Sequence, residues 1–229
     1  MPAAIVTGSG RGIGKETALM LARRGMDVAV CSRTQSEVDR AVDEIKRIRS
    51  GVLGMKCDVG DASDADKLVE ATVKRFGSVD VLVNNAGVAI LKQLVDTTEQ
   101  EWDETMNSNL KSAFLCSKVV LPYMLEQKSG VIVNVSSGAG KSGFENLSAY
   151  CASKFGMMGL TESLAWEVAS TRIRVMAICP GDVDTAMQEI DPAYHRANRA
   201  RMLTAGQVAE KIVEMIFDNR YRNGQSVDI

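Results

Sequence analysis

Short, almost wholly apolar runs rich in Val, Ile and Ala alternate with amphipathic stretches from one end of the chain to the other. That alternation constrains the fold more than any other feature. The runs Ala3–Thr7, Asp27–Ser32, Val52–Lys56, Val79–Asn84, Val131–Ser136 and Arg174–Cys179 have no polar face to turn to water, as expected of parallel strands covered on both sides. Between them, Ile13–Arg24, Ser36–Arg49, Asp64–Phe76, Glu101–Gln127 and Tyr150–Ser170 read as helices, the fourth with a bend near Asn109. Thr204-Ala205-Gly206-Gln207 reads as a capping box opening a helix through Phe217, and a short strand near Gln225–Asp228 closes one edge. Strand–helix units repeated in this way need right-handed crossovers and build an α/β, doubly wound parallel sheet of about seven strands with helices on both faces.

No linker, repeat or low-complexity tract interrupts the 229 residues, so a single domain over residues 1–229 is expected. Lys plus Arg number 27 against 29 Asp plus Glu, a net charge of −2 that offers no electrostatic case for nucleic acid or an anionic membrane. Cys31, Cys57, Cys116, Cys151 and Cys179 are scattered with no C-x-x-C pair, which suits reduced thiols rather than disulfides or metal ligands. His195 is the sole histidine, which argues against a His-based metal site and against a Ser-His-Asp triad. The chain opens directly on a strand-like run and contains no apolar stretch approaching about 18 residues, so a soluble, cytoplasmic protein without signal peptide or span is expected.

Thr7-Gly8-Ser9-Gly10-Arg11-Gly12-Ile13-Gly14 follows the first strand, and a helix starts inside it. Glycines there permit a tight turn and let backbone N–H groups approach a pyrophosphate at the positive helix end, the arrangement of Rossmann-like dinucleotide sites. No Gly-Lys-Ser/Thr is present, which disfavours a nucleoside-triphosphate loop. In dinucleotide folds an acid at the end of the second strand holds the ribose 2′-OH of NAD, whereas an arginine nearby accommodates the 2′-phosphate of NADP. Cys31-Ser32-Arg33-Thr34 has no acid and one arginine, and Arg11 adds a second positive group, so NADP(H) is expected over NAD(H).

Ligands of open α/β sheets bind at the carboxyl ends of the strands. Asn84-Asn85-Ala86-Gly87 follows the fourth strand, Ser136-Ser137-Gly138 the fifth, and Pro180-Gly181-Asp182-Val183-Asp184-Thr185 the sixth. Tyr150 and Lys154 then stand one turn apart on one face of the next helix. Taken alone such a pair is most often a solvated helix face. A phenol ionises near pH ~10, and bringing it to neutrality needs roughly 4 kcal/mol, about what one ammonium ~4 Å away supplies at an effective dielectric near 20.

Together these residues make the chain resemble the short-chain dehydrogenase/reductase family in its single-domain branch. The resemblance runs in order through Thr-Gly-x-x-x-Gly-x-Gly at Thr7–Gly14, Asp58-Val59, Asn-Asn-Ala-Gly, Asn109, Ser137, Tyr-x-x-x-Lys, Pro-Gly and Thr185, and so covers essentially the whole chain. It implies that Tyr150 exchanges a proton with the substrate carbonyl oxygen, that Ser137 hydrogen-bonds the same oxygen, and that Lys154 holds the nicotinamide ribose and depresses the Tyr150 pKa. Asn109 is implied to anchor a water linking Lys154 to solvent. Cofactor contacts are implied for Gly8, Ser9, Arg11, Gly12, Ile13 and Gly14 in the loop and for Ser32 and Arg33 at the ribose. Asp58 and Val59 are implied at the adenine, Asn85, Ala86 and Gly87 beside its ribose, and Pro180, Gly181, Val183 and Thr185 near the nicotinamide, with no metal. Asn84 reads as structural, pinning neighbouring strands.

The segment between Thr185 and Thr204 is short for a substrate lid, and the chain ends Gln225-Ser226-Val227-Asp228-Ile229 where many relatives continue through a Gly-Gly ending. A homo-oligomer, tetramer or dimer, is implied through the helices near Glu101–Gln127 and Tyr150–Ser170. The expected substrate wall combines Ala89-Ile90-Leu91, Gly138–Ser148 and Ala186–Leu203, with Phe144, Leu147, Met187 and Tyr194 beside Lys141, Arg196, Arg199 and Arg201. Apolar walls with a basic rim suit a 3-oxoacyl thioester, as in 3-oxoacyl-acyl-carrier-protein reductases; the three arginines read equally as a solvated face. The leading expectation is an NADP(H)-dependent oxidoreductase acting on a small-molecule carbonyl or secondary alcohol. A sugar or polyol dehydrogenase, and a dinucleotide-binding sensor or scaffold without turnover, stay open as alternatives.

Overall fold

The computed structural model describes residues 1–229. In chain order the elements are β1 (Ala3–Val6), α1 (Gly12–Arg23), β2 (Asp27–Ser32), α2 (Gln35–Lys46), β3 (Val52–Lys56), α3 (Ala62–Phe76) and β4 (Val81–Asn84). There follow α4 (Glu99–Met106), α5 (Ser112–Gln127), β5 (Ser129–Val135), α6 (Ser148–Glu167) and β6 (Arg172–Cys179). The chain finishes through β7 (Val183–Asp184), α7 (Pro192–Asn198), β8 (Leu203–Thr204), α8 (Ala205–Phe217) and β9 (Ser226–Asp228). Seven strands form one parallel sheet in the order β3-β2-β1-β4-β5-β6-β9, the doubly wound α/β fold that the alternation of runs implies.

Strand side chains divide between the two faces with the period of two that pleating imposes. Ala4, Val6, Val28 and Val30 join the core beneath α1, α2 and α8, while Ile5, Ala29 and Cys31 join the one beneath α3, α5 and α6. Both faces are dry, which is why the strands carry no polar alternation. Arg174 of β6 is turned to a different use: its guanidinium donates to the last-turn carbonyls of Met215 and Ile216 in α8 and to those of Asp218 and Tyr221 just beyond it.

Local chemistry explains the boundaries. Thr204 and Gln207 form the expected reciprocal capping box of α8, and Thr98 with Glu101 forms a second that opens α4. The helix expected over Glu101–Gln127 is interrupted: a π-helical turn at Asn107–Lys111 separates α4 from α5. Such a bulge inserts a residue into the ladder and re-aims the side chain at that point, here Asn109. Two further differences lie after β6, where β7 pairs with β8 in a small second sheet and α7 forms between them. Asp191 caps α7 through the Tyr194 N–H, and Pro192 opens it.

The sheet order reverses between β1 and β4, the position where the crossovers leave to opposite faces and a crevice opens at the carboxyl ends. No helix is long and apolar enough to cross a membrane.

Candidate active site

A cavity of about 1070 Å³ lies along those carboxyl ends, from the start of α2 across the β1/β4 crevice to the segment after β6. Gly8, Arg11, Gly12 and Ile13 form part of its wall. Gly8 has φ +61°, and a Cβ on it would lie 2.8 Å from Ala86 Cα, so both conformation and space demand glycine. A Cβ on Gly14 would run into the Asn85 amide and the Gly8 carbonyl, so this glycine lets α1 pack against the loop. Asn85 braces that loop from β4: its Nδ2 donates to the carbonyls of Thr7 (2.9 Å) and Gly8 (3.1 Å) while still lining the cavity. Ser9 and Gly14 are not on the wall. The Ser9 hydroxyl is turned inward, donating to Val6 O and accepting from Cys31 N–H, and so joins the loop to β2.

Ala86, Gly87, Asp58, Val59, Ser32 and Arg33 all line the cavity. Asp58 also accepts from Gly60 N–H at 3.0 Å, a turn contact. One acid escapes a reading of the strand end alone. Glu37, in the first turn of α2, accepts a 2.6 Å hydrogen bond from Ser32 Oγ and faces Arg11 at 3.6 Å. The absence of an acid in Cys31–Thr34 is therefore not the absence of an acid in the site; the helix turns one back.

At the other end, β5 delivers Ser137 and α6 delivers Tyr150 and Lys154 to the same stretch of wall. Ser137 Oγ accepts from Ala139 N–H at 3.1 Å, and the Tyr150 phenol stands near enough to feel the Ser137 hydroxyl. Lys154 is 3% exposed, its Nζ donates to Val135 O at 2.8 Å, and it stands 5.6 Å from the centroid of the Tyr150 ring. Burial lowers the Lys154 ammonium to about 8. Burial raises the Tyr150 phenol, against the opposing pull of the Ser137 hydrogen bond. Helical spacing alone predicts that Lys154 depresses the phenol. In the chain by itself desolvation wins, because the ammonium hydrogen-bonds a backbone carbonyl rather than the phenol oxygen.

Asn109 is buried behind this group, off the cavity wall. Its Nδ2 donates to Val88 O and Ser153 Oγ, both at 2.9 Å, and its Oδ1 accepts from Val88 N–H at 2.7 Å. It thus ties the loop following β4 to α6 one residue before Lys154. Ser153, which motif reading passes over, completes the link by donating to Tyr150 O at 2.7 Å. Asn84 pins β4 to its neighbours, its amide donating to Asn134 Oδ1 and Ser117 Oγ.

Pro180, Gly181, Val183 and Thr185 line the wall opposite the glycine loop, and a Cβ on Gly12 would lie 3.6 Å from Thr185 Cγ2. The apolar part of the substrate side is Leu91, Phe144, Leu147, Met187, Ile190 and Tyr194. Its covering segment, Ala186–Arg201, is held to β7 by side chains. His195 Nε2 meets Asp184 Oδ1 at 2.8 Å, Arg199 Nε donates to Asp184 Oδ2 at 2.8 Å, and Tyr194 OH donates to Asp182 Oδ2 at 2.7 Å. Arg199, followed by His195, holds the Asp184 carboxyl below its ordinary range. The expected basic rim is not on the wall: Lys141 pairs with Asp228, Arg199 with Asp184, and Arg196 and Arg201 face elsewhere. The carboxylates on that stretch are instead Glu145, Asp182, Asp184 and Asp191.

Residues 2–194 match the short chain dehydrogenase family. The chain is 41% identical over 187 residues to the 3-oxoacyl-acyl-carrier-protein reductase FabG of Staphylococcus aureus, covering 81% of this chain and 76% of that protein. It is 35% identical over 232 residues to the FabG of Thermotoga maritima, covering 98% and 94%. Among solved structures, levodione reductase superposes with a TM-score of 0.93 at 30% identity, covering 100% of this chain and 95% of that one. A single-residue variant of actinorhodin polyketide ketoreductase with NADPH also gives 0.93, at 33% identity and the same coverage. The chain belongs to the short-chain dehydrogenase/reductase family, and its enzymatic class is that of oxidoreductases acting on a carbonyl or CH–OH group.

Proposed function

We propose that the protein is an NADP(H)-dependent reductase that interconverts a ketone and a secondary alcohol, with a 3-oxoacyl thioester or a related ketone as substrate. The observation that carries this reading is the convergence of Ser137, Tyr150 and Lys154 on one cavity with the glycine loop. Its relatives include 3-oxoacyl reductases, a levodione reductase and a polyketide ketoreductase, the last solved with NADPH.

The residues present fit the dinucleotide. The Gly8–Gly14 turn leaves room and backbone donors for a pyrophosphate, Ser32, Arg33 and Arg11 stand at the ribose position, and Asp58 with Val59 flanks the adenine position. Asn85, Ala86 and Gly87 lie between the halves, and Pro180, Gly181, Val183 and Thr185 close the nicotinamide end. Bound NADP(H) supplies the hydride in reduction and takes it up in oxidation. Ser137 and Tyr150 both hydrogen-bond the substrate oxygen. Tyr150, protonated near neutral pH as an ordinary phenol is, gives its proton to that oxygen in reduction, with burial opposing the phenolate that results. The Ser137 hydrogen bond strengthens as the oxygen gains charge. Lys154, cationic below about pH 8, stabilises the phenolate left behind and holds the nicotinamide ribose. Asn109 ties α6 to the loop after β4 and so sets the height of both side chains.

The test is a panel of ketones, including 3-oxoacyl thioesters, with NADPH consumption as readout and deuteride transfer to the carbonyl carbon as the check on mechanism. Turnover lost in Tyr150→Phe supports the reading. Cofactor binding without turnover on any carbonyl, alike in wild type and variant, would replace it with a non-catalytic sensor.

We also propose a cytoplasmic homo-oligomer. Free, buried thiols suit a reducing compartment. Phe114, Leu121, Leu125 and Leu160 line an apolar groove between α5 and α6, and the neighbouring Trp166 is 80% exposed, surface that a second copy would cover. Light scattering measures the assembly directly, and a monomer at working concentration would overturn it.

A further inference from the structure

The adenosine end of the cavity carries an anion of its own. Glu37 Oε2 accepts the hydroxyl proton of Ser32 at 2.6 Å, and Arg11 NH1 lies 3.6 Å from Oε1. Its side chain is 17% exposed, whereas that of Arg11 is 71% exposed. Arg33 turns aside to Glu104, at 3.6 Å. A hydroxyl at the end of β2 and an arginine from the glycine loop are the donors that a ribose 2′-phosphate requires at this place. Glu37 holds both.

Gly10 adds an independent sign that the carboxylate is seated there. A Cβ on Gly10 would lie 2.7 Å from Glu37 Cβ and 2.9 Å from Oε2, so the loop leaves this space to Glu37. Ser32 has one hydroxyl proton and can donate it to one acceptor. A phosphate taking that proton must displace the carboxylate, and the two anions repel at the distance this seat allows.

We propose that Glu37 is the specificity-determining residue at the adenosine ribose, an internal anion that competes with the 2′-phosphate of NADP(H) for Ser32 and Arg11. NADP(H) then binds only by displacing Glu37, and its advantage over NAD(H) is smaller than Ser32 and Arg11 would supply without it. This rests on the NADP(H) reading, and the experiment separates the two.

Dissociation constants for NADPH and NADH are measured by nucleotide fluorescence on the full chain in wild type, Glu37→Gln and Glu44→Gln. Gln keeps an oxygen to accept from Ser32, so the fold and the first turn of α2 survive. Glu44 sits further along the same helix, paired with Lys15, and controls for charge removed at a distance. Glu37→Gln is expected to tighten NADPH about ten-fold and leave NADH within about two-fold, while Glu44→Gln moves both by less than about two-fold. A ratio of the two constants unchanged in Glu37→Gln, or shifted toward NADH, overturns the assignment. A wild type that prefers NADH overturns the NADP(H) reading instead, whichever way the Glu37→Gln ratio moves.

Discussion

The two ends of the catalytic cleft are built on different principles. Behind Tyr150, side chains are held by backbone and by burial: Lys154 by Val135 O, Asn109 by both polar groups of Val88, Ser136 by Lys154 O. Over the substrate, the segment Ala186–Arg201 is held by side chains gripping side chains near the surface, Asp184 with His195 and Arg199, Asp182 with Tyr194. Backbone partners do not rotate, so the first arrangement holds the reacting groups to the narrow tolerance chemistry needs. Side-chain pairs in high dielectric contribute about 1 kcal/mol or less each, so the second can open and close. One cleft thus combines a rigid floor with a cover on weak latches.

The sharpest way to break this contrast is at the floor. Tyr150→Phe removes the proton donor and is expected to lower kcat by about 10²–10⁴-fold with the fold intact, which steady-state kinetics beside circular dichroism would check. Retention of more than a tenth of wild-type turnover would remove Tyr150 from the role given to it.

Asn109→Ala comes next. It strands the Val88 N–H and carbonyl and loosens α6 beneath Lys154, at a cost of about 1–3 kcal/mol for each buried group left unsatisfied. Urea unfolding should register that loss, and kcat should fall more than KM rises. An unchanged midpoint with unchanged kcat would show the floor to be less rigid than its hydrogen bonds imply.

The third test is pH. Lys154 is lowered to about 8 by burial, so its charge is lost as pH rises through about 8. Reductive kcat/KM is expected to fall there by about ten-fold per unit, because the cation is needed at the ribose and beside the phenol. Stability moves the other way. Between about 8 and the unfolded lysine value near ~10.4 the unfolded chain binds a proton that the folded chain does not, so this group's contribution rises with pH across that window. Opposite slopes for activity and stability, both absent in Lys154→Met, are the signature; parallel slopes would assign the activity loss to unfolding.

The smallest effect is expected at the cover. Asp184→Asn weakens both the His195 and the Arg199 latch, near-surface contacts that contribute little to global stability. KM should rise several-fold with the unfolding midpoint nearly unmoved, measured on whichever ketone the panel identifies. A loss of kcat as large as that of Asn109→Ala would mean that the cover is part of the catalytic scaffold.

This contrast also accounts for which features could be read in advance. Tyr150 and Lys154 were legible because their relation is local, one helical turn, and the glycine loop because its backbone geometry admits few residues. Ser137 was legible because parallel strands deliver their carboxyl-end residues to one edge of the sheet. Glu37 was not. An acid in the first turn of a helix is an ordinary helix-stabilising feature, and nothing local reports that α2 turns it onto Ser32. The basic rim failed for the same reason, since Lys141 finds Asp228 and Arg199 finds Asp184 only after folding. The direction of the Tyr150 pKa was not legible either, because distance along a helix says nothing about desolvation.

Sequence alone determined the parallel sheet, its buried faces, the position of the glycine loop and the placing of Tyr150 and Lys154 one turn apart on α6, all consequences of periodicity or of short-range backbone geometry. Tertiary structure decided the partners that Asn109 finds behind α6, the latches of the cover, and the charge facing each end of the cavity. These depend on contacts between segments distant in the chain, and the energies that select them exist only once water has been excluded between those segments.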